Sequence, residues 1–263
     1  MLANLTPIHG NYHGYYTKRP AVKDPRLSLL PPELFRGASV LDVGCNEGWV
    51  TCEIAQSWGA RRVHGVDIDD TLTRLAWKRR RTVWSTQEPV VSIDEKSVAP
   101  LPKPGYFPAS LEHTFGPLPI PSPQPADKHL FPYNVSFRTA DWTNNTIPQD
   151  ATGYDVVIAF SLTKWIHLNG GDDALLRFFR RVHDVLTPGG SLVLEPQAWE
   201  TYAKAKRMDN RLRENAKSLK LRPGDFESLL QEIGFGPAQH LGTTGEGGRW
   251  CAWPWNAAPL MLL

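Results

Sequence analysis

An α/β fold is predicted: a doubly wound, mostly parallel sheet of seven strands, carrying an N-terminal arm and a proline-rich insertion. Three observations predict it. Apolar runs of strand length alternate with stripes of helical period. Two of the runs, at residues 40–43 and 63–67, end in carboxylates, Asp42 and Asp67, 25 positions apart. The run 154–160 has the apolar character of a central parallel strand. Taken in order, residues 40–43 read as a buried strand, and Val50, Ile54, Ala55 and Trp58 space one helical face behind it. Residues 63–67 form the next strand, with Leu72, Leu75 and Ala76 as its helix. From 85 to 132 proline recurs too densely for helix or sheet interiors, so an insertion is expected there, disordered at least over 92–103. Strands follow at 135–139 and 154–160. Leu175, Phe178, Phe179, Val182, Val185 and Leu186 make a helical stripe that stops at Thr187-Pro188-Gly189-Gly190. A strand at 191–195, a polar basic helix at 203–219, a short amphipathic helix at 225–233 and a last pairing strand at 249–255 complete the alternation.

At 263 residues and 41% hydrophobic side chains, the chain can bury one sizeable core. The organisation read from this is an arm over 1–36 and one catalytic domain over 37–263, with the insertion at about 85–132. Cys45, Cys52 and Cys251 show no C-x-x-C spacing, so no zinc site, no other metal site and no disulfide framework is expected, and a reducing intracellular location follows. Asn4, Thr6, Pro7 and His9 do not make a secretory leader. No stretch reaches the ~20 apolar residues of a membrane span, so a soluble protein without a membrane partner is expected. The net charge of +2 excludes a globally basic nucleic-acid binder. A basic surface must be local: the run from Lys204 to Arg222 is one candidate and a solvated helix face is the plainer reading. Lys78 to Arg81 reads as cations at a helix C-terminus.

The chemistry lies in Asp42-Val43-Gly44-Cys45-Asn46-Glu47-Gly48. Glycine at the turn lets backbone approach a ligand where a side chain would collide. A dinucleotide site wants G-x-G-x-x-G at a helix N-terminus; here Glu47 would meet a phosphate with like charge. S-adenosylmethionine has adenine, ribose, sulfonium and an amino-acid tail but no phosphate, and D-x-G-x-x-x-G resembles the first motif of class I methyltransferases, a Rossmann-like fold. Asp67 stands where a second-strand carboxylate grips ribose hydroxyls. The alternative is an ordinary strand-to-helix turn. Asp42, Asp67, Asp141, Ser161 and Glu195 all fall at carboxyl ends of predicted strands, where ligands bind in open α/β sheets.

Substrate choice is read from two segments. Phe160-Ser161-Leu162-Thr163-Lys164-Trp165-Ile166-His167-Leu168 follows the central strand and lacks the D/N-P-P-Y/F tetrapeptide of nucleobase amine methylases. Lys164 would repel an amine cation and attract an anion such as phosphate; a surface lysine in a loop is the plain alternative. Gly10-Asn11-Tyr12-His13-Gly14-Tyr15-Tyr16 precedes Lys18 and Arg19, a composition that stacks bases and binds backbone phosphate. A tyrosine-rich lid over the cofactor mouth has equal standing.

Together these segments resemble the methylphosphate capping enzymes, RNA methyltransferases of the bicoid-interacting-protein-three type. The resemblance rests on Gly10-Asn11-Tyr12 with Tyr15-Tyr16, Asp24-Pro25-Arg26-Leu27 with Phe35-Arg36-Gly37, Leu41 to Asn46, Gly65-Val66-Asp67-Ile68-Asp69, Phe107-Pro108-Ala109-Ser110-Leu111, Ser161 to Asn169, and Leu194-Glu195-Pro196-Gln197-Ala198-Trp199. Ala198 stands where proline is usual and Gly14 where a basic residue is common; residues 234–263 match poorly. The resemblance implies S-adenosylmethionine as cofactor, and methylation of an oxygen on the 5′-terminal phosphate of a small noncoding RNA such as 7SK or the U6 spliceosomal RNA. It also implies a nuclear location, with the cytoplasm second, and a La-related protein as partner in a ribonucleoprotein. Asp42, Gly44 and Asn46 are then expected around the methionine part, Asp67 and Ile68 at ribose and adenine, Asp141 with Trp142 bordering the adenine, and Cys45 and Ser161 also on the cofactor side. Tyr12, Tyr15, Tyr16, Arg19, Lys164, Tyr202, Lys204, Lys206 and Arg207 are expected on the RNA side, with Lys164, Tyr12 and Arg19 nearest the reacting phosphate. Two alternatives stay open: a 5′-monophosphate RNA acceptor, and an RNA-holding subunit of a spliceosomal or telomerase particle with little turnover.

Overall fold

The first strand, β1 (Ser39–Val43), is buried along its whole length, as a strand covered on both faces must be. In the computed structural model, which describes residues 7–16, 23–87, 109–244, 249–252 and 260–262, it sits in the middle of the sheet. It is followed by α1 (Trp49–Ser57), β2 (Arg62–Asp67), α2 (Asp70–Thr86), α3 (Ala109–Phe115), β3 (Val135–Thr139), β4 (Tyr154–Phe160), α4 (Thr163–Val185) and β5 (Leu186–Glu195). Then come α5 (Tyr202–Ala205), α6 (Asn210–Ser218), α7 (Phe226–Ile233), β6 (His240–Thr244), β7 (Arg249–Ala252) and β8 (Leu260–Leu262). The sheet order is β3-β2-β1-β4-β5-β8, every pairing parallel. The chain leaves β1 toward β2 and β3, then returns to place β4 on β1's other side. That reversal opens a crevice beyond the carboxyl ends of β1 and β4.

Side chains alternate across each strand, and the two faces carry two cores. Val40, Val63, Val135, Val156, Ile158 and Val193 pack with α1, Ala76 of α2, and Leu27, Leu30 and Phe35. Leu41, Val43, Val66, Val157, Ala159, Leu192 and Leu194 pack on the other face with Leu175, Phe178, Phe179 and Val182 of α4 and with Phe226 and Leu230 of α7. Leu27, Leu30 and Phe35 therefore belong to the core, and within the span read as an arm only residues 7–16, of those described, lie across the crevice.

Four expectations are corrected. The sheet of described residues has six strands, not seven, because β6 and β7 pair only with each other, antiparallel. The run at 249–255 is thus a hairpin strand over 249–252, and the sheet edge is β8. The helix expected at 203–219 is two helices, since the Asp209 carboxylate accepts from Arg211 N–H at 2.7 Å and starts α6 as an N-cap. The insertion contains a helix, α3, in the proline-free stretch between Pro108 and Pro117; residues 92–103 lie outside the described residues. Lastly, Lys164 stands in the first turn of α4 instead of a loop. That helix changes direction at Gly171, φ 72°. Among the described residues no helix is long and apolar enough to cross a membrane.

Candidate cofactor and substrate site

The crevice holds a cavity of about 340 Å³. Its floor begins at Gly44, φ 79°, where an added Cβ would stand 3.2 Å from Leu162. Asn46 adopts φ 50°, a conformation asparagine tolerates better than most side chains. The bend turns the Asn46 N–H onto Asp67 Oδ2 at 2.9 Å, while Asp69 N–H donates to Asp67 Oδ1 at 2.9 Å. Both oxygens are fixed by backbone, yet each keeps a lone pair for a hydroxyl donor. Burial raises the Asp67 carboxyl above its ordinary value, and those backbone donors oppose the shift.

Asp42 is 3% exposed and accepts the Thr51 hydroxyl at 2.6 Å. Burial pushes its carboxyl up to about 6, with the Thr51 hydrogen bond and Arg26 pulling the other way. Arg26, also buried, donates through Nη1 to Glu195 Oε2 at 3.0 Å, through Nε and Nη2 to Asp24 at 2.8 and 2.6 Å, and through Nη2 to the Tyr16 hydroxyl at 3.0 Å. Glu195 Oε2 also accepts the Ser161 hydroxyl at 2.6 Å. Two buried carboxylates, Asp24 and Glu195, thus bond one guanidinium, and its charge also reaches Asp42. In the cavity itself Asp42, Asp67 and Asp141 stand with Arg26, Arg177 and Arg211, so carboxylates and guanidiniums line it together.

The arm closes one side. Asn11 Nδ2 donates to Asp69 Oδ2 at 2.7 Å, Gly14 N–H to Glu47 Oε1 at 2.9 Å, Asn46 Nδ2 to Tyr12 O at 3.2 Å and Asn169 Nδ2 to Ile8 O at 2.7 Å. Gly10, φ 76°, lies so close on the Trp165 indole that any Cβ would collide. Glu47 therefore holds the arm, and does not line the cavity as its place in the motif suggests.

Of the residues singled out from sequence, Asp42, Gly44, Cys45, Asn46, Asp67, Ile68, Asp141, Trp142, Ser161, Tyr15 and Tyr16 line this one cavity. Tyr16 stacks on Trp49, ring centroids 5.2 Å apart, and burial drives its phenol well above the ordinary value. Tyr12 lies at the lip, 37% exposed, its ring edge-on to Trp165. Lys164 lies beside the cavity, its Nζ donating to Thr201 Oγ1 at 3.2 Å. Lys204, Lys206 and Arg207 are exposed on α5 and the turn after it. Tyr202 is buried with its hydroxyl 3.3 Å from His167 Nδ1, and so acts within the core of this structure instead of on its surface. Arg19 lies outside the described residues. Sequence reasoning gave no role to Arg26 and missed the cavity-lining His9, Asn169 and Arg177; Arg211, read only as part of the basic run from Lys204 to Arg222, also lines the cavity. Asp24-Pro25-Arg26 was the available signal for the first. Among the described residues no group of His, Cys, Asp and Glu could hold a metal ion.

The family model described as bicoid-interacting protein 3 matches residues 154–251. A probable RNA methyltransferase of Arabidopsis thaliana is 35% identical over 88% of this chain and 72% of its own length. The chain belongs to the bicoid-interacting protein 3 family. Another relative, a U6 snRNA methylphosphate capping enzyme of Drosophila melanogaster, is 31% identical over 89% of this chain and 68% of its own. A 7SK snRNA methylphosphate capping enzyme of Mus musculus is 39% identical over 89% of this chain; the match spans 38% of that longer protein.

Proposed function

We propose that this family member transfers a methyl group from S-adenosylmethionine to the 5′-terminal phosphate of a small noncoding RNA. The observation that carries the reading is the placement of two buried carboxylates, Asp42 and Asp67, in one nucleoside-sized cavity at the carboxyl ends of β1 and β2. Asp42, Gly44, Cys45 and Asn46 would hold the methionine part, Asp67 the ribose diol, and Ile68, Asp141 and Trp142 the adenine. A bound S-adenosylmethionine supplies an electrophilic methyl on a cationic sulfur. The chain's task is then to place a phosphate oxygen in line with that methyl at about 3 Å and to exclude water.

No general base is required, because a terminal phosphate oxygen is already ionised at neutral pH. Cations serve to position it. Lys164, between the cavity-lining Leu162 and Trp165 in sequence, and the exposed Lys204, Lys206 and Arg207 are the candidates for that task. The names of the mouse and fly relatives, which specify 7SK and U6 snRNA, support a small nuclear RNA as acceptor. A nuclear location, with the cytoplasm second, and a La-related protein in the same particle belong to this proposal.

The test is transfer of labelled methyl to one structured RNA bearing a 5′-triphosphate, 5′-monophosphate or 5′-hydroxyl end. Label on the triphosphate form alone is the expected result. Label on the monophosphate alone selects the other end group, and label on all three excludes phosphate as the acceptor.

A further inference from the structure

Ser161 leaves β4 at φ 54°, one of two non-glycine residues with positive φ among those described. Such backbone persists only where its surroundings fix it. Here the segment after β5 does so. Ser161 N–H donates to Glu195 O at 3.2 Å, its hydroxyl to Glu195 Oε2, and its carbonyl accepts from Gln197 Nε2. The other end of the same amide, Gln197 Oε1, accepts Lys164 N–H at 3.1 Å and the Thr163 hydroxyl at 3.4 Å.

Helix α4 begins without a cap of its own, since Leu162 at its N-cap has no side chain able to accept. Gln197 fills that role from the segment after β5. It is 7% exposed, and one planar group thereby sets both the strained exit of β4 and the first turn that carries Lys164. Thr201, four residues on, receives Lys164 Nζ and donates its own hydroxyl to Ala198 O at 2.7 Å. Backbone and ammonium of Lys164 are thus both aimed from residues 197–201.

We infer that Gln197 is a positioning residue for methyl transfer, acting as a cap supplied from the segment after β5 that locks Ser161 and the first turn of α4, which carries Lys164. The inference rests on the methyl-transfer reading above. Gln197 is absent from the cavity lining, so it reaches the cofactor only indirectly, through Ser161, and its larger effect falls on the reacting geometry through Lys164. Both ends of the amide are needed. A glutamate keeps the acceptor toward the helix N-terminus, where a negative charge is welcome, but presents an oxygen to the Ser161 carbonyl.

The experiment compares Gln197→Ala and Gln197→Glu with the wild-type protein. The readouts are kcat and KM for RNA methylation, S-adenosylmethionine affinity by calorimetry, and amide exchange at Lys164. Both variants are expected to lose at least tenfold in kcat with cofactor Kd within threefold of wild type. Exchange at Lys164 is expected to accelerate at least tenfold in Gln197→Ala and to stay slow in Gln197→Glu. Should the alanine variant fail to fold, the glutamate variant decides. A Gln197→Glu protein with kcat within twofold of wild type overturns the inference, as does a kcat loss matched by an equal loss of cofactor affinity. Wild-type protein that methylates no RNA end refutes the functional reading instead, and Lys164 exchange still decides the clamp: equal protection with and without Gln197 removes it.

Discussion

Replacing Asp42 by asparagine should stabilise the ligand-free protein while abolishing its cofactor binding. Asp42 is enclosed, and burial lifts its carboxyl from an ordinary 3.8 to about 6. The unfolded chain ionises the group more easily than the folded one does, so folding is penalised wherever it must be charged. Between pH 4 and 6 the folded state binds more protons than the unfolded state, and stability falls as pH rises through that window. A shift of roughly two units corresponds to about 3 kcal/mol, fully expressed above pH 6. Asparagine keeps an acceptor for the Thr51 hydroxyl and removes the charge. In a chain of this length about 3 kcal/mol raises the melting midpoint by roughly 6 °C. Thermal melts of wild type and Asp42→Asn, without ligand, at pH 5.0 and 7.5 measure it. The variant should melt higher at pH 7.5, and the gap should shrink at pH 5.0. A variant that melts at or below wild type at both pH values refutes the argument, because the buried Asp42 carboxylate then carries no electrostatic strain for a cationic ligand to relieve.

Lys164→Ala should lower methyl transfer at least tenfold and leave S-adenosylmethionine affinity within twofold, read by turnover and calorimetry side by side. Arg26→Met strips the counter-charge from the Asp24 and Glu195 carboxylates, and breaking a buried pair costs about 3–5 kcal/mol, visible as a lower denaturant midpoint. Gly10→Ala cannot keep φ 76° against the Trp165 indole without displacing the arm; cofactor affinity should fall at least tenfold with little change in melting midpoint. RNA binding should weaken with salt, and the triple change Lys204→Ala, Lys206→Ala, Arg207→Ala should flatten the log–log slope by about 2, at ~0.7 per phosphate contact on a single strand. An unchanged slope places the RNA elsewhere.

The central strands were legible because parallel sheets bury both faces, leaving apolar runs such as 154–160 that periodicity finds without help. One part of the cavity lining was equally legible: Asp42, Gly44, Asn46 and Asp67 sit close in sequence to the strands that carry them, so motif spacing translates directly into geometry. What escaped depends on distant pairing. Arg26 meets Glu195 across 169 positions and Gln197 meets Lys164 across 33, and no local period records either. The helix break at Asp209 was visible as an Asp-Asn cap signal, overridden by the surrounding basic run. The strand count failed at 249–252 for the same reason as the ion network: the pattern marks a strand but does not name its partner.

The most direct test of the central claim is the chemical position of the transferred methyl. RNA with a 5′-triphosphate is incubated with the protein and labelled S-adenosylmethionine, digested to nucleotides, and resolved by chromatography. The account predicts that all label travels with the 5′-terminal nucleotide as a phosphate ester and is released by cleavage of that terminal phosphate. Label retained on a nucleoside, in base or ribose, contradicts it.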